Sequence, residues 1–248
     1  MGRIGPFAQV LGWVFDRRFY PERGPLPEQR ASGATPFTLD SEGEAYTASF
    51  ELTLALADMD LYAHVRIIVG VVVSLGLTHL LRGIANLIQH PKKERIYWVH
   101  LAWVLFMFLY VLHFWWWEFW LRELKDWNLA IYLFTIFYAV LIYLICAMLF
   151  PDSLAGYSGY EDYFYSRRRW FFGLMIAIFA LDLEDTFLKG RQYYLHLGIE
   201  YPIRAAMFIV ACAIALVSRN RRYHQVFAVA SVVYQLSYIF RLYAREFQ

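Results

Sequence analysis

The sequence predicts an all-α, polytopic transmembrane bundle of six spans behind an irregular N-terminal extension. Three observations predict it. The chain of 248 residues is 60% hydrophobic and 20% aromatic but only 18% charged, with a mean hydropathy of +0.39. A soluble domain carries about 25% charged and 45–50% apolar residues. Next, six stretches are long and apolar enough to cross a bilayer. A spanning helix needs ~20 mainly apolar residues, because the hydrocarbon is ~30 Å thick and a helix rises ~1.5 Å per residue. Finally, the charge is divided. Residues 1–60 hold 5 basic and 9 acidic side chains, a net of −4, and residues 61–248 hold 18 and 12, a net of +6. The total of +2 averages an acidic extension and a basic membrane body, so nucleic acid is not an expected partner.

The spans follow in order. The first is about 64–88, with Gly70, Ser74 and Gly76 on a small-residue face suited to close helix packing. The second is about 97–120 and ends in the cluster Trp115, Trp116, Trp117 and Trp120. The third, about 128–150, stops at Pro151, as the first stops before Pro91. The fourth is about 169–189. The fifth, about 201–218, carries Pro202 in its opening turn, where the missing N–H costs nothing. The sixth is about 223–243. Tryptophans near the predicted ends, including Trp98, Trp127 and Trp170, fit an interfacial belt. Residues 152–169, with four tyrosines beside Arg167, Arg168 and Arg169, read as an interfacial loop. Those arginines are either positive-inside residues or contacts to lipid headgroups or a partner.

Orientation follows the basic residues near span ends. Loops one–two, three–four and five–six carry nine Lys and Arg, and the opposite side carries seven. Residues 42–62 hold acids and no Lys or Arg. Both termini are therefore expected outside the cytoplasm, in a cell inner membrane. The extension 1–60 contains a Pro- and Gly-rich linker at 21–36 and a short apolar patch, Phe7–Phe15, able to dock on a partner or the membrane surface. Met59 is an alternative natural start. Cys146 and Cys212 fall in apolar stretches and read as buried fillers.

Ionisable groups at membrane depth are costly, about 2.5–3.5 kcal/mol each at mid-helix on insertion scales, so each needs a partner or a task. On the outer side, Asp182 and Asp185 lie one turn apart on the fourth span, Lys189 follows at i+4 from Asp185, and Glu118, His113 and Arg204 reach similar depth. They are expected to form one intramembrane cluster, with Arg66 as a further candidate member, serving as an ion-pair lock or as an ion or proton relay. On the cytoplasmic side, His79, Arg82 and His100 form a polar stripe that either locks helices or meets a lipid phosphate. A short likeness between Leu77–Gly83 and Leu183–Gly190 reads as coincidence rather than an inverted repeat.

The histidine spacing does not suit bis-histidine haem. His100 and His113 are 13 residues apart, but His64 and His79 on the first span are 15 apart, and the levels disagree. No cofactor or metal is therefore expected. His113 and Glu118 are five apart, about 140° around a helix. No HExxH, DxD, GxSxG, Walker or GxGxxG pattern stands in usable context, so no enzyme chemistry is indicated.

The stretches THLLRGIANLIQH (78–90), IYWVHLAWVLF (96–106), HFWWWEF (113–119), Phe-Pro-Asp (150–152), RRRWFFGL (167–174) and IEYPIR (199–204) resemble a group of uncharacterised bacterial inner-membrane proteins of about six spans. The resemblance covers about 59–245. It implies a compact bacterial membrane domain and supplies no catalytic residues. Lipid and other membrane proteins are the expected partners, with the chain as an accessory or scaffolding subunit of a larger assembly, electron-transport or light-harvesting among the candidates. The alternative is a small transporter or channel built on Asp182, Asp185 and Arg204.

Overall fold

The computed structural model describes residues 41–90, 95–124 and 127–246. Among them every regular element is helical: α1 (Ser41–Gln89), α2 (Trp98–Trp117), a 3-10 turn (Glu118–Glu123), α3 (Leu129–Leu149), α4 (Tyr160–Leu188), α5 (Arg191–Leu197), α6 (Glu200–Val217) and α7 (Arg221–Glu246). A boundary between two compact units falls between Ala57 and Asp58.

Two expectations are corrected. Residues 41–60 are helical rather than irregular. The stretch holds no proline and is rich in Ala, Leu and Glu, all good helix formers. Glu42 and Glu44 also sit at the positive end of the helix dipole. The loop expected over 152–169 ends early, because α4 begins at Tyr160. Gly159, at φ +140°, makes the turn into it, and a Cβ there would press on Arg95. Glu161 and Asp162 then occupy the first turn, again favourable to the dipole. The chain between the fourth and fifth predicted spans also forms the short α5. The patch Phe7–Phe15, the linker 21–36 and Lys92 and Lys93 lie outside the described residues.

Four helices are long and apolar enough to cross a membrane: residues 62–89, 98–122, 129–149 and 200–217. Helix ends follow local chemistry. Asn128 caps α3 by accepting the Ile131 N–H at 3.0 Å, and Pro151 follows its end.

The most extensive helix contact joins α4 to α6, and the next joins α2 to α7. Their core centres on Trp103, which is fully buried. Phe106, Phe171, Phe172 and Phe227 meet its indole edge-on, with centroids 5.1–5.5 Å away. Such T-shaped pairs are worth about 0.5–1.5 kcal/mol each beyond area.

Polarity is inverted relative to a water-soluble protein. On α7, Val226, Val229, Val233 and Phe240 point outward, while His224, Ser231 and Gln235 are buried. On α6, Ile203, Met207, Val210 and Ile214 are exposed and Arg204 is buried. On α4, Trp170 and Phe187 face out and Asp182 and Asp185 face in.

α1 is the least buried of the four apolar helices. It is held at particular points. His79 Nε2 donates to the Phe150 carbonyl at 2.8 Å. At Gly83 the helix lies against the Phe150 ring, where a Cβ would clash. The lookalike glycine, Gly190, sits instead in a turn at φ +98°, so the two halves of the short internal likeness do different work. Gly83→Ala should lower stability by about 1–3 kcal/mol through overpacking. Thermal unfolding in detergent checks this, and the loss should shrink in a Phe150→Ala background, because contacting sites are not additive.

Candidate functional site

The outer cluster forms, and it is more complete than the sequence indicated. α4 presents Asp182 and Asp185 inward, and the adjoining Lys189 ends the same face. α6 brings Arg204, and the 3-10 turn brings Glu118. Exposure is 6% for Asp182, 4% for Asp185, 5% for Glu118 and 3% for Arg204.

Two ionic centres result. In one, Arg204 approaches Asp182 Oδ2 at 3.6 Å. Tyr201 shares its one hydroxyl proton between Asp182 Oδ2 at 3.0 Å and the Asp182 carbonyl at 2.7 Å. Thr186 donates to that Tyr201 oxygen at 2.8 Å. Tyr138 donates to Asp182 Oδ1 at 3.3 Å and lies 2.7 Å from the Tyr110 hydroxyl. Both Asp182 oxygens are thus occupied by donors, as a buried carboxylate requires. Arg204 also lies over the ring of Tyr238, 4.2 Å from its centroid.

In the other, Lys189 Nζ bridges two carboxylates, Glu118 Oε1 at 3.1 Å and Asp185 Oδ2. Glu118 Oε2 and Asp185 Oδ1 have no hydrogen-bond partner among the described residues.

His113 joins the rim rather than the ion pairs. Its ring packs on Trp117 with centroids 4.1 Å apart, and Gln235 donates to its Nδ1 at 3.4 Å. A cavity of about 10 Å³ lies among Tyr110, His113, Trp117, Asp182, Arg204 and Gln235. That is about the room one water needs.

Arg66 departs from expectation. It stacks on Phe119, 4.0 Å from the ring centroid, with Trp115 at 5.5 Å. Among the described residues it forms no ion pair with Asp182 or Asp185. Sequence reading missed Tyr201, Thr186, Tyr138 and Tyr238. Tyrosine is so frequent here, 19 residues, that no single one stands out. A usable signal existed for Tyr201, which lies one helical turn before Arg204 and so shares its face.

The stripe of His79, Arg82 and His100 is divided. His79 bonds to Phe150, and His100 is buried between the rings of Phe150 and Tyr160, at 5.5 and 4.8 Å. Phe150 therefore serves both histidines, which favours a helix lock. Arg82 is exposed and belongs to neither contact.

The three arginines also separate. Arg167 donates to the Tyr157 hydroxyl at 2.9 Å, and Arg169 is exposed. Arg168 is buried and donates to the Tyr165 carbonyl at 2.8 Å. The expected headgroup contact therefore does not extend to Arg168, which α4 turns toward the interior. Nearby, Tyr163 donates to the Met148 carbonyl at 2.6 Å, and burial pushes its hydroxyl above the ordinary tyrosine range.

No family model, curated protein or solved structure matches the chain.

The cluster joins side chains from α2, α3, α4, α6 and α7, so its ion pairs act as cross-braces. Lys189→Met leaves the buried Glu118 and Asp185 carboxyl groups without their cation and should cost about 3–5 kcal/mol. Tyr201→Phe removes a donor from Asp182 and should cost about 1–3 kcal/mol. Thermal unfolding in detergent measures both.

Proposed function

We propose that the chain is a six-span bacterial inner-membrane protein with both termini on the non-cytoplasmic side. In this reading it works without catalysis, as an accessory or scaffolding subunit packed against other membrane proteins. Four spans satisfy length and composition outright. The remaining two are α4 and α7, whose outward faces are apolar while their polar groups point inward. That arrangement suits lipid, where each polar group must be satisfied within the protein.

One observation carries the subunit reading. The polar groups of the outer cluster are spent on one another around a cavity of about 10 Å³, whereas the periphery carries an open groove of about 720 Å³ along α1. Tyr62, Arg66, Gly70, Ser74, Thr78 and Trp115 line it. Ile67, Val71 and Leu75 stand exposed beside it. Small residues on a lipid-facing helix let a second backbone approach closely, and this is how transmembrane helices associate. The fitting occupant is a transmembrane helix of a different membrane protein.

Mild-detergent solubilisation followed by native mass measurement tests the proposal. A stoichiometric heteromeric partner is expected. Ser74→Phe fills the groove from an exposed position and should release the partner without changing the melting temperature. A lone monomer or a symmetric homodimer contradicts the reading. Orientation has its own check: external protease should fail to reach a C-terminal tag in inside-out vesicles and remove it in spheroplasts. The opposite pattern reverses the assigned topology.

A further inference from the structure

The buried outer cluster has an unbalanced charge count. Asp182, Asp185 and Glu118 supply three carboxylates, and Lys189 and Arg204 supply two cations. Asp182 is fully served: Arg204 faces it, and the hydroxyls of Tyr138 and Tyr201 donate to its two oxygens. The surplus therefore falls on the other centre. There a single ammonium stands between Glu118 and Asp185.

That centre also carries two orphan atoms. Glu118 Oε2 and Asp185 Oδ1 are buried, and neither has a hydrogen-bond partner among the described residues. Both residues are at least nine-tenths buried. An uncompensated charge in such a place costs several kcal/mol by desolvation, and a bare buried acceptor adds about 1–3 kcal/mol. The two defects have one remedy. A single proton on either orphan oxygen cancels the surplus charge and turns that bare acceptor into a donor.

We propose that Glu118 and Asp185 together bind one proton, so that the Lys189-bridged centre is a protonated acid, a carboxylate and an ammonium. The surroundings agree from each element packed on it. From α1, Tyr62 carries a buried, unpartnered hydroxyl, and the Arg66 guanidinium lies over the Phe119 ring, 4.0 Å from its centroid. α4 contributes Asp182, already paired, and Lys189. From α5, the Tyr193 ring lies 5.8 Å from Lys189 Nζ. α6 contributes Arg204, occupied by Asp182 and stacked on Tyr238 of α7. Arg122, in the same 3-10 turn as Glu118, is exposed. The site is independent of any helix docking at α1.

Infrared spectroscopy of the full chain in lipid nanodiscs at neutral pH tests this. The wild type should show the carbonyl stretch of a protonated carboxylic acid, moving to lower frequency in deuterated buffer and unaffected by sodium or potassium. Glu118→Gln and Asp185→Asn each leave two acids against two cations, so the band should vanish in both. Glu118→Gln should melt no lower than wild type, because it supplies by covalent structure the neutrality the proton otherwise provides. A wild type without the band overturns the proposal, as does a band that survives both substitutions. The wild-type spectrum decides even if a variant fails to fold.

Discussion

In this chain, polar side chains have nowhere to go but toward each other. Lipid offers no hydrogen bonds, and each charge left facing it is costly. The helices therefore turn their valines and aromatic rings outward and their acids, arginines and glutamine inward. The Asp182–Arg204 and Glu118–Lys189–Asp185 centres are the strongest expression of that constraint. Side chains from five helices meet there, and the loss of one partner would strand the rest.

Two kinds of contact divide the labour of holding the fold. Around Trp103 and Phe172, edge-on aromatic packing fills space with apolar shape. Among transmembrane helices such close packing replaces the hydrophobic drive available in water. In the charged cluster, ion pairs and tyrosine hydroxyls fix which helix faces which, since a slip of one residue would separate Asp182 from Tyr201 and Arg204. Elsewhere Phe150 does similar work with one residue. Its carbonyl takes His79, its ring meets His100, and its edge fits the gap left by Gly83. α1, held by few such contacts, keeps an open flank.

Much of this was legible in the sequence, for physical reasons. Apolar stretches bounded by Pro91, Pro151 and Pro202 place helix ends closely, because proline acts through the backbone alone. Asp182, Asp185, Glu118 and Arg204 could be gathered by depth, because helical rise converts residue number into distance. Three things were hidden. The helix over 41–60 has no membrane-like composition, so a search for apolar spans passes it by. The helical start at Tyr160 depends on Gly159 and on contact with Arg95, which is distant in sequence. The placement of Arg66 on Phe119, rather than on a carboxylate, depends on how α1 leans against the 3-10 turn. Rotation about a helix axis is set by tertiary packing, and one sequence does not report it.

α4 and α7 carry the central claim, since they hold the polar half of the cluster and are less apolar than the other long helices. Spin labels at Ala180 and Val229, both outward-facing, report their surroundings through accessibility to oxygen and to a water-soluble nickel chelate. The account predicts high oxygen and low chelate accessibility at both positions in nanodiscs, as for groups immersed in hydrocarbon. Free access of the chelate to either label would contradict it.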